Sequence, residues 1–116
     1  MIAHHWSARV KTDRIATVTT RAVVLEFGAA MSRVAYRSAG VTVLDALHAD
    51  PTIEVVPLDD DTYRRTLAMY KARQDKEWSL TDCASFIVMN ERAITDALSA
   101  DAHFTQAGFK PLLSEP

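Results

Sequence analysis

Short segments rich in β-branched residues alternate along this sequence with longer segments of helical periodicity, and that alternation limits the possible folds most strongly. The clearest β-branched segments are residues 15–19 and 53–56. Segments whose apolar residues recur at three- and four-residue spacing follow each of them. Strands that alternate with helices indicate an α/β fold with a parallel sheet and helices on both faces. Ligands of such sheets bind beyond the carboxyl ends of the strands.

The pattern predicts one domain spanning residues 1–116, because no linker, repeat or low-complexity tract interrupts it. We expect Ser38, Ala39 and Gly40 to separate two helices and Asp59, Asp60 and Asp61 to begin another. The three aspartates are better explained as helix-capping residues than as a metal cluster. The predicted helices cover residues 5–14, 20–36, 43–47, 59–73, 79–92 and 102–107, and the predicted strands cover residues 15–19, 53–56, 94–99 and 109–113.

Composition excludes several classes of protein. No apolar run approaches the roughly 20 residues needed to cross a bilayer, so no membrane association is expected. The first residues lack a secretory signal, which makes the cytoplasm the expected location. The single cysteine, Cys83, cannot form an internal disulfide, and no zinc-type spacing is present. A metal in this chain would therefore be expected to bind through oxygen ligands.

The charge distribution is uneven although the net charge is only −2. Residues 1–49 carry six basic and three acidic side chains, whereas residues 50–116 carry seven basic and twelve acidic ones. A basic surface that faces RNA beside an acidic centre fits this asymmetry, and so do ordinary solvated helices.

Three acidic residues stand where the local pattern calls for an apolar or small residue, or where a strand is followed by a helix. They are Glu26, Asp82 and Asp101. Glu26 lies among the apolar positions of its predicted helix. If its carboxylate is buried there, it needs an arginine partner or a cation. The alternative is that Glu26 lines a groove at the surface. Asp82 has the spacing of a capping box with Ser79, and Asp101 can cap the short helix that follows it. Each acid alone is compatible with a structural role.

Considered together, the three acids point to a metal site. Each lies within a turn of a strand's carboxyl end or at a helix start, so the predicted fold brings them to one end of the sheet. Two carboxylates 4 Å apart repel by about 4 kcal/mol at an effective dielectric constant near 20. A divalent cation relieves this repulsion, and oxygen ligands suit Mg²⁺ or Mn²⁺. Such ions activate water and neutralise a phosphodiester.

The order of the motifs along the chain and their amino-acid sequences resemble those of PIN-domain nucleases of the VapC toxin type. The matching segments are TT followed by VLE, then SLTDC with SF, then SADAHF and AGF. The resemblance covers nearly the whole chain, including the spacing between motifs. It implies a PIN-like three-layer sandwich in which a parallel sheet is flanked by helices.

The resemblance also implies a metal-dependent endoribonuclease, commonly the toxin of a toxin–antitoxin pair. Glu26, Asp82 and Asp101 are then the residues that bind Mg²⁺ or Mn²⁺ and carry catalysis. Ser99 matches the family's hydroxyl residue two positions before the last acid, and Arg21 is expected to contact substrate phosphates. The implied partners are RNA, an antitoxin protein and a second copy of the chain.

One departure from the family pattern affects the expected activity. PIN domains begin with a central strand that carries an aspartate, and this sequence begins after that strand. Either residues upstream have been omitted by a mis-assigned start, or the chain is an N-terminally truncated relative whose activity is impaired. The alternative function is a catalytically inactive PIN-like remnant that acts as a protein-binding module for an antitoxin or for dimerisation.

Overall fold

A computed structural model describes residues 15–113 of the chain, so the helix expected over residues 5–14 lies outside the described residues. None of the helices described is long and apolar enough to cross a membrane. Residues 15–113 contain, in chain order, β1 (Thr17–Thr20), α1 (Arg21–Ala30), α2 (Val34–Ala49), β2 (Ile53–Val56), α3 (Asp60–Ala72), α4 (Leu80–Glu91), β3 (Asp96–Ala97), α5 (Ala102–Gln106) and β4 (Lys110–Pro111).

The strands described form two parallel pairs, which confirms the predicted α/β class. β1 pairs with β2 in a register that sets Thr17 opposite Ile53, and β3 pairs with β4. Strands β3 and β4 have only two residues each, much shorter than the sequence predicts. Within residues 15–113, β1 and β3 belong to different sheets. The expectation about the family's first strand is tested by none of the residues described and stays a prediction.

The boundary between α1 and α2 was predicted at the wrong place. The chain leaves the helix at Met31 and resumes it at Val34, whereas Ser38, Ala39 and Gly40 lie inside α2. Gly40 is buried, and a Cβ atom built on it would lie 2.8 Å from the Met31 Cβ. The glycine therefore lets Met31 pack closely against α2, so it serves a helix contact and does not end a helix.

The buried faces of α1 and α3 also differ from the prediction. Val24 is the buried residue of α1, and Glu26 is exposed. The spacing of Tyr63, Leu67 and Tyr70 in the sequence predicts that they share the apolar side of α3. The buried residues of α3 are instead Thr62 and Thr66, and Tyr63 and Tyr70 are exposed. The Thr66 hydroxyl donates to the Thr62 carbonyl at 2.8 Å, and this bond allows a polar side chain to be buried.

The predicted capping role of the aspartates before α3 is confirmed. Asp59 is the N-cap, and its carboxylate accepts the backbone N–H of Thr62 at 2.8 Å. This hydrogen bond lowers the pKa of Asp59. Asp60 and Asp61 follow in the first turn, where negative charge opposes the helix dipole.

The core is organised around Phe86, which is completely buried in the middle of α4. Its ring meets Trp78 and Phe104 edge-on at centroid distances of 5.0 and 5.1 Å. Phe109 stacks on it at 5.6 Å. Trp78 and Cys83 are buried in the same cluster. One aromatic side chain thus joins α4 to α5 and to the residue before β4.

An ion pair links the other end of α4 to the first sheet. Two nitrogens of Arg92, the C-cap of α4, lie 2.5 and 2.7 Å from the two carboxylate oxygens of Glu54 in β2. The hydrogen-bonded guanidinium lowers the pKa of Glu54. The geometry is bidentate, so it fixes orientation as well as distance.

Two glycines provide a matched test of helix packing. We expect Gly40→Ala to lower the free energy of unfolding by about 1 kcal/mol, because overpacking against Met31 outweighs the gain in helix propensity. Gly28→Ala, inside α1 with nothing within 4 Å of the added methyl group, is expected to raise it by about 0.5–1 kcal/mol. Urea unfolding of the two variants measures both effects. Stabilisation by both substitutions would contradict the close contact at Gly40.

Candidate metal-binding and active site

The first turn of α4 holds Asp82 in a fixed orientation. Ser79 is the N-cap, and its hydroxyl accepts the backbone N–H of Asp82 at 2.9 Å. In return, Oδ2 of Asp82 accepts the backbone N–H of Ser79 at 3.0 Å. This is the capping box that the sequence predicts. Only 19% of the Asp82 side chain is exposed, and the capping bonds hold it against the start of the helix.

Asp101 lies at the start of α5. It is the N-cap, and its Oδ1 accepts the backbone N–H of His103 at 2.9 Å. The Ser99 hydroxyl accepts the backbone N–H of Asp101 at 3.0 Å. Ser99 therefore shapes the turn that presents Asp101. The Asp101 side chain is 48% exposed and accessible from solvent.

His103 lies between the two aspartates. Its Nδ1 is 3.0 Å from Oδ2 of Asp82 and 3.5 Å from Oδ1 of Asp101. One ligand atom from each of the three residues lies within 4.8 Å of the other two. We call Asp82, Asp101 and His103 the acid–histidine cluster. The expected convergence of Asp82 and Asp101 is thus present, with an imidazole between the carboxylates.

The aromatic core explains why these two helix starts meet. Asp82 lies four residues before Phe86 on α4 and therefore on the same side of the helix. His103 immediately precedes Phe104, whose ring packs edge-on against Phe86 at 5.1 Å. The contact between Phe86 and Phe104 therefore places His103 beside Asp82. Trp78 adds a second link, because its indole N–H donates to the Gln106 side chain of α5 at 3.0 Å.

Glu26 lies on the adjacent side of α4, outside the acid–histidine cluster. It is exposed on α1 and forms no ion pair with a basic side chain among residues 15–113. Together with Thr81, the neighbour of Asp82, it lines an open cavity of about 400 Å³ that we call the side groove. The other residues that line the side groove are Ala22, Leu25, Leu58, Tyr63, Thr66, Leu80 and Ala84. Glu26 is therefore a groove residue, one of the alternatives that the sequence allows.

The remaining residues considered for the site are Arg21 and Cys83. Arg21 is the exposed first residue of α1, directly after the N-cap Thr20. Cys83 is fully buried next to Asp82, and burial raises the pKa of its thiol, with the Asp82 charge adding to the effect. A buried thiol with a raised pKa is a poor nucleophile, so Cys83 contributes packing.

The acid–histidine cluster has a donor set that suits a divalent cation. Two carboxylates and one imidazole converge from two helix starts, and their separations fall in the range of neighbouring ligands around one ion. His103 is the residue that sequence reasoning missed, since only oxygen ligands were expected. Its position two residues after Asp101, in the first turn of a short helix, is the signal that could have identified it.

Comparison with known proteins supports the fold. No protein family profile and no curated protein sequence matches the chain significantly. Among solved structures, the chain is similar to Mycobacterium tuberculosis VapC20, described as a sarcin–ricin loop cleaving toxin. The TM-score is 0.78 at 23% identity, and the match covers 94% of this chain and 84% of that one. The resemblance to a VapC-type PIN domain is thereby confirmed for the fold.

The capping role of Asp101 can be separated from its charge. Asparagine caps helices about as well as aspartate, so Asp101→Asn is expected to leave the free energy of unfolding within about 0.5 kcal/mol of the parent value. Asp101→Ala removes the acceptor for the His103 N–H and is expected to cost about 1 kcal/mol. Urea unfolding in the presence of EDTA measures both. Equal losses in the two variants would show that the charge, and not the cap, holds this turn.

Proposed function

We propose that the chain is a metal-dependent endoribonuclease of the VapC toxin type. The observation that carries the proposal is the acid–histidine cluster, in which Asp82 and Asp101 converge at 4.8 Å or less on a VapC-like fold. Helix capping bonds hold both acids, so the negative site has a fixed geometry. Asp82 is partly accessible to solvent, and Asp101 is more accessible. The motif resemblance to PIN nucleases points to the same two residues and to Glu26.

The proposed cofactor is Mg²⁺ or Mn²⁺. Asp82 and Asp101 would hold the ion. Glu26 is proposed as the third acid, because it lines the side groove together with Thr81, the neighbour of Asp82. When bound, such an ion lowers the pKa of a water molecule and neutralises charge on the phosphodiester. The residues fit this role chemically: Oδ1 of Asp82 accepts no hydrogen bond from residues 15–113, and Oδ2 accepts the Ser79 N–H and lies 3.0 Å from Nδ1 of His103.

RNA is the proposed substrate, bound along the edge that carries the acids. Arg21 is exposed at the start of α1, five residues before Glu26, and its guanidinium is proposed to pair with a phosphate. Ser99 is proposed as a second substrate-binding residue, because its hydroxyl lies in the turn that presents Asp101. The structural neighbour is described as cleaving the sarcin–ricin loop, so a hairpin of that type is a suitable first substrate.

Protein partners are also proposed, namely an antitoxin and a second copy of the chain. Helix α2 supports this because four of its larger apolar side chains are exposed, including Val34 at 94%. The same observation favours the alternative function, a binding module that cleaves nothing. The exposed apolar residues of α2 are Val34, Tyr36, Val41 and Val43.

Cleavage of an RNA hairpin tests the nuclease proposal. We expect Mn²⁺-dependent cleavage that EDTA abolishes. Asp82→Asn and Asp101→Asn should each reduce it by about a hundredfold or more, since each removes a charged metal ligand. Asparagine can preserve both capping bonds, so circular dichroism should show that both variants remain folded. Product analysis on a labelled hairpin gives the rate.

Asp45→Asn is the matched control, because Asp45 is exposed on α2 and outside the cluster. It should retain full activity. Glu26→Gln should lower activity if the third acid acts from the side groove. Cleavage that survives both cluster substitutions would overturn the proposed catalytic role, and a folded parent chain without any cleavage would favour the binding-module alternative.

The partner proposal has a separate measurement. Light scattering after size exclusion should give the mass of a dimer for the parent chain. Val34→Glu combined with Val41→Glu should shift it to a monomer, because both side chains lie on one face of α2, seven residues apart. A monomeric parent chain would contradict self-association through α2.

A further inference from the structure

We infer that His103 is itself a metal ligand: its Nδ1 binds the cation between Asp82 and Asp101, and the site consequently favours first-row transition-metal ions over Mg²⁺. The inference rests on the metal site of the proposed function but adds a ligand and a metal preference to it. The sequence suggested only oxygen ligands, and the geometry adds a nitrogen.

The first reason is the position of Nδ1. It lies 3.0 Å from one Asp82 oxygen and 3.5 Å from one Asp101 oxygen. In a six-coordinate site with metal–ligand bonds of about 2.1 Å, adjacent ligands are about 3 Å apart. The distances from Nδ1 to the two oxygens are therefore close to those of neighbouring ligands on one ion. A cation that binds these two oxygens, Oδ2 of Asp82 and Oδ1 of Asp101, would therefore also have Nδ1 within reach.

The second reason is that the imidazole is held in place. The backbone N–H of His103 donates to Asp101, which fixes the first turn of α5. The next residue, Phe104, packs against the buried Phe86. The His103 side chain is only 27% exposed, less than the 48% of Asp101. Binding a cation at Nδ1 thus requires little reorganisation of the backbone or of neighbouring side chains.

The chemical consequence follows from ligand type. A carboxylate–water set suits Mg²⁺, whereas an imidazole nitrogen strengthens binding of first-row transition ions such as Co²⁺ and Ni²⁺. Nδ1 offers a lone pair in the tautomer whose proton is on Nε2. Replacing this nitrogen should therefore weaken Co²⁺ binding much more than Mg²⁺ binding.

Binding of the metal ion alone, without RNA, tests the inference. Titration calorimetry on the full chain should show that His103→Ala weakens Co²⁺ binding about tenfold or more and changes Mg²⁺ affinity by less than about threefold. Pulsed electron paramagnetic resonance of bound Mn²⁺ should detect coupling to a histidine nitrogen in the parent chain. That coupling should disappear in His103→Ala and persist in His48→Ala, in which an exposed histidine of α2 is removed.

Failure of the inference can be told from failure of the nuclease proposal. A bound cation without nitrogen coupling, or equal losses for Co²⁺ and Mg²⁺, would overturn the role of His103 while RNA cleavage could still establish the nuclease. Nitrogen coupling that depends on His103 in a chain that cleaves no RNA would support the ligand and reject the nuclease. Absence of any cation binding to the folded parent chain would overturn both.

Discussion

The packing of three aromatic rings around Phe86 is the interaction on which the rest of the described structure depends. Phe86 makes two edge-on contacts and one stacked contact, and each ring comes from a different part of the chain. Strands β3 and β4 have only two paired residues each, so their ladder alone cannot hold this end of the molecule together. Burial of large aromatic side chains supplies most of the stabilisation there. The position of α5 relative to α4 is therefore a consequence of the core.

The candidate site depends indirectly on the same packing, because its residues lie close in sequence to the packed aromatic residues. Asp82 lies one helical turn before Phe86, and His103 lies one residue before Phe104. The distance between Asp82 and His103 is consequently set by this hydrophobic contact together with the direct contact between Nδ1 and Oδ2 at 3.0 Å. The hydrophobic contact contributes to the geometry of the site without involving its charged groups. This matters because two carboxylates without a cation repel each other.

Local sequence signals predicted the helix starts well. Ser79, Asp59 and Asp101 cap the helices at the expected positions, because capping depends on residues three or fewer positions away. The break at Met31 and the continuous helix through Gly40 were missed, since they depend on a contact between two helices. The exposure of Glu26 and the burial of Thr62 and Thr66 likewise follow from how the helices pack. The spacing of apolar residues along a helix does not show whether its apolar face lines a surface groove or packs into the core.

The convergence of Asp82 and Asp101 was predicted from topology, but His103 was not, and the difference is instructive. Strand ends and helix starts indicate which edge of a parallel sheet a residue reaches. They give no information on which of two adjacent residues in a short helix points toward the neighbouring helix. That choice is made at Phe104, which enters the core and leaves His103 to face Asp82. The backbone of a residue next to a buried aromatic side chain is thus positioned by the packing of that side chain, and here the packing of Phe104 against Phe86 brings His103 next to Asp82.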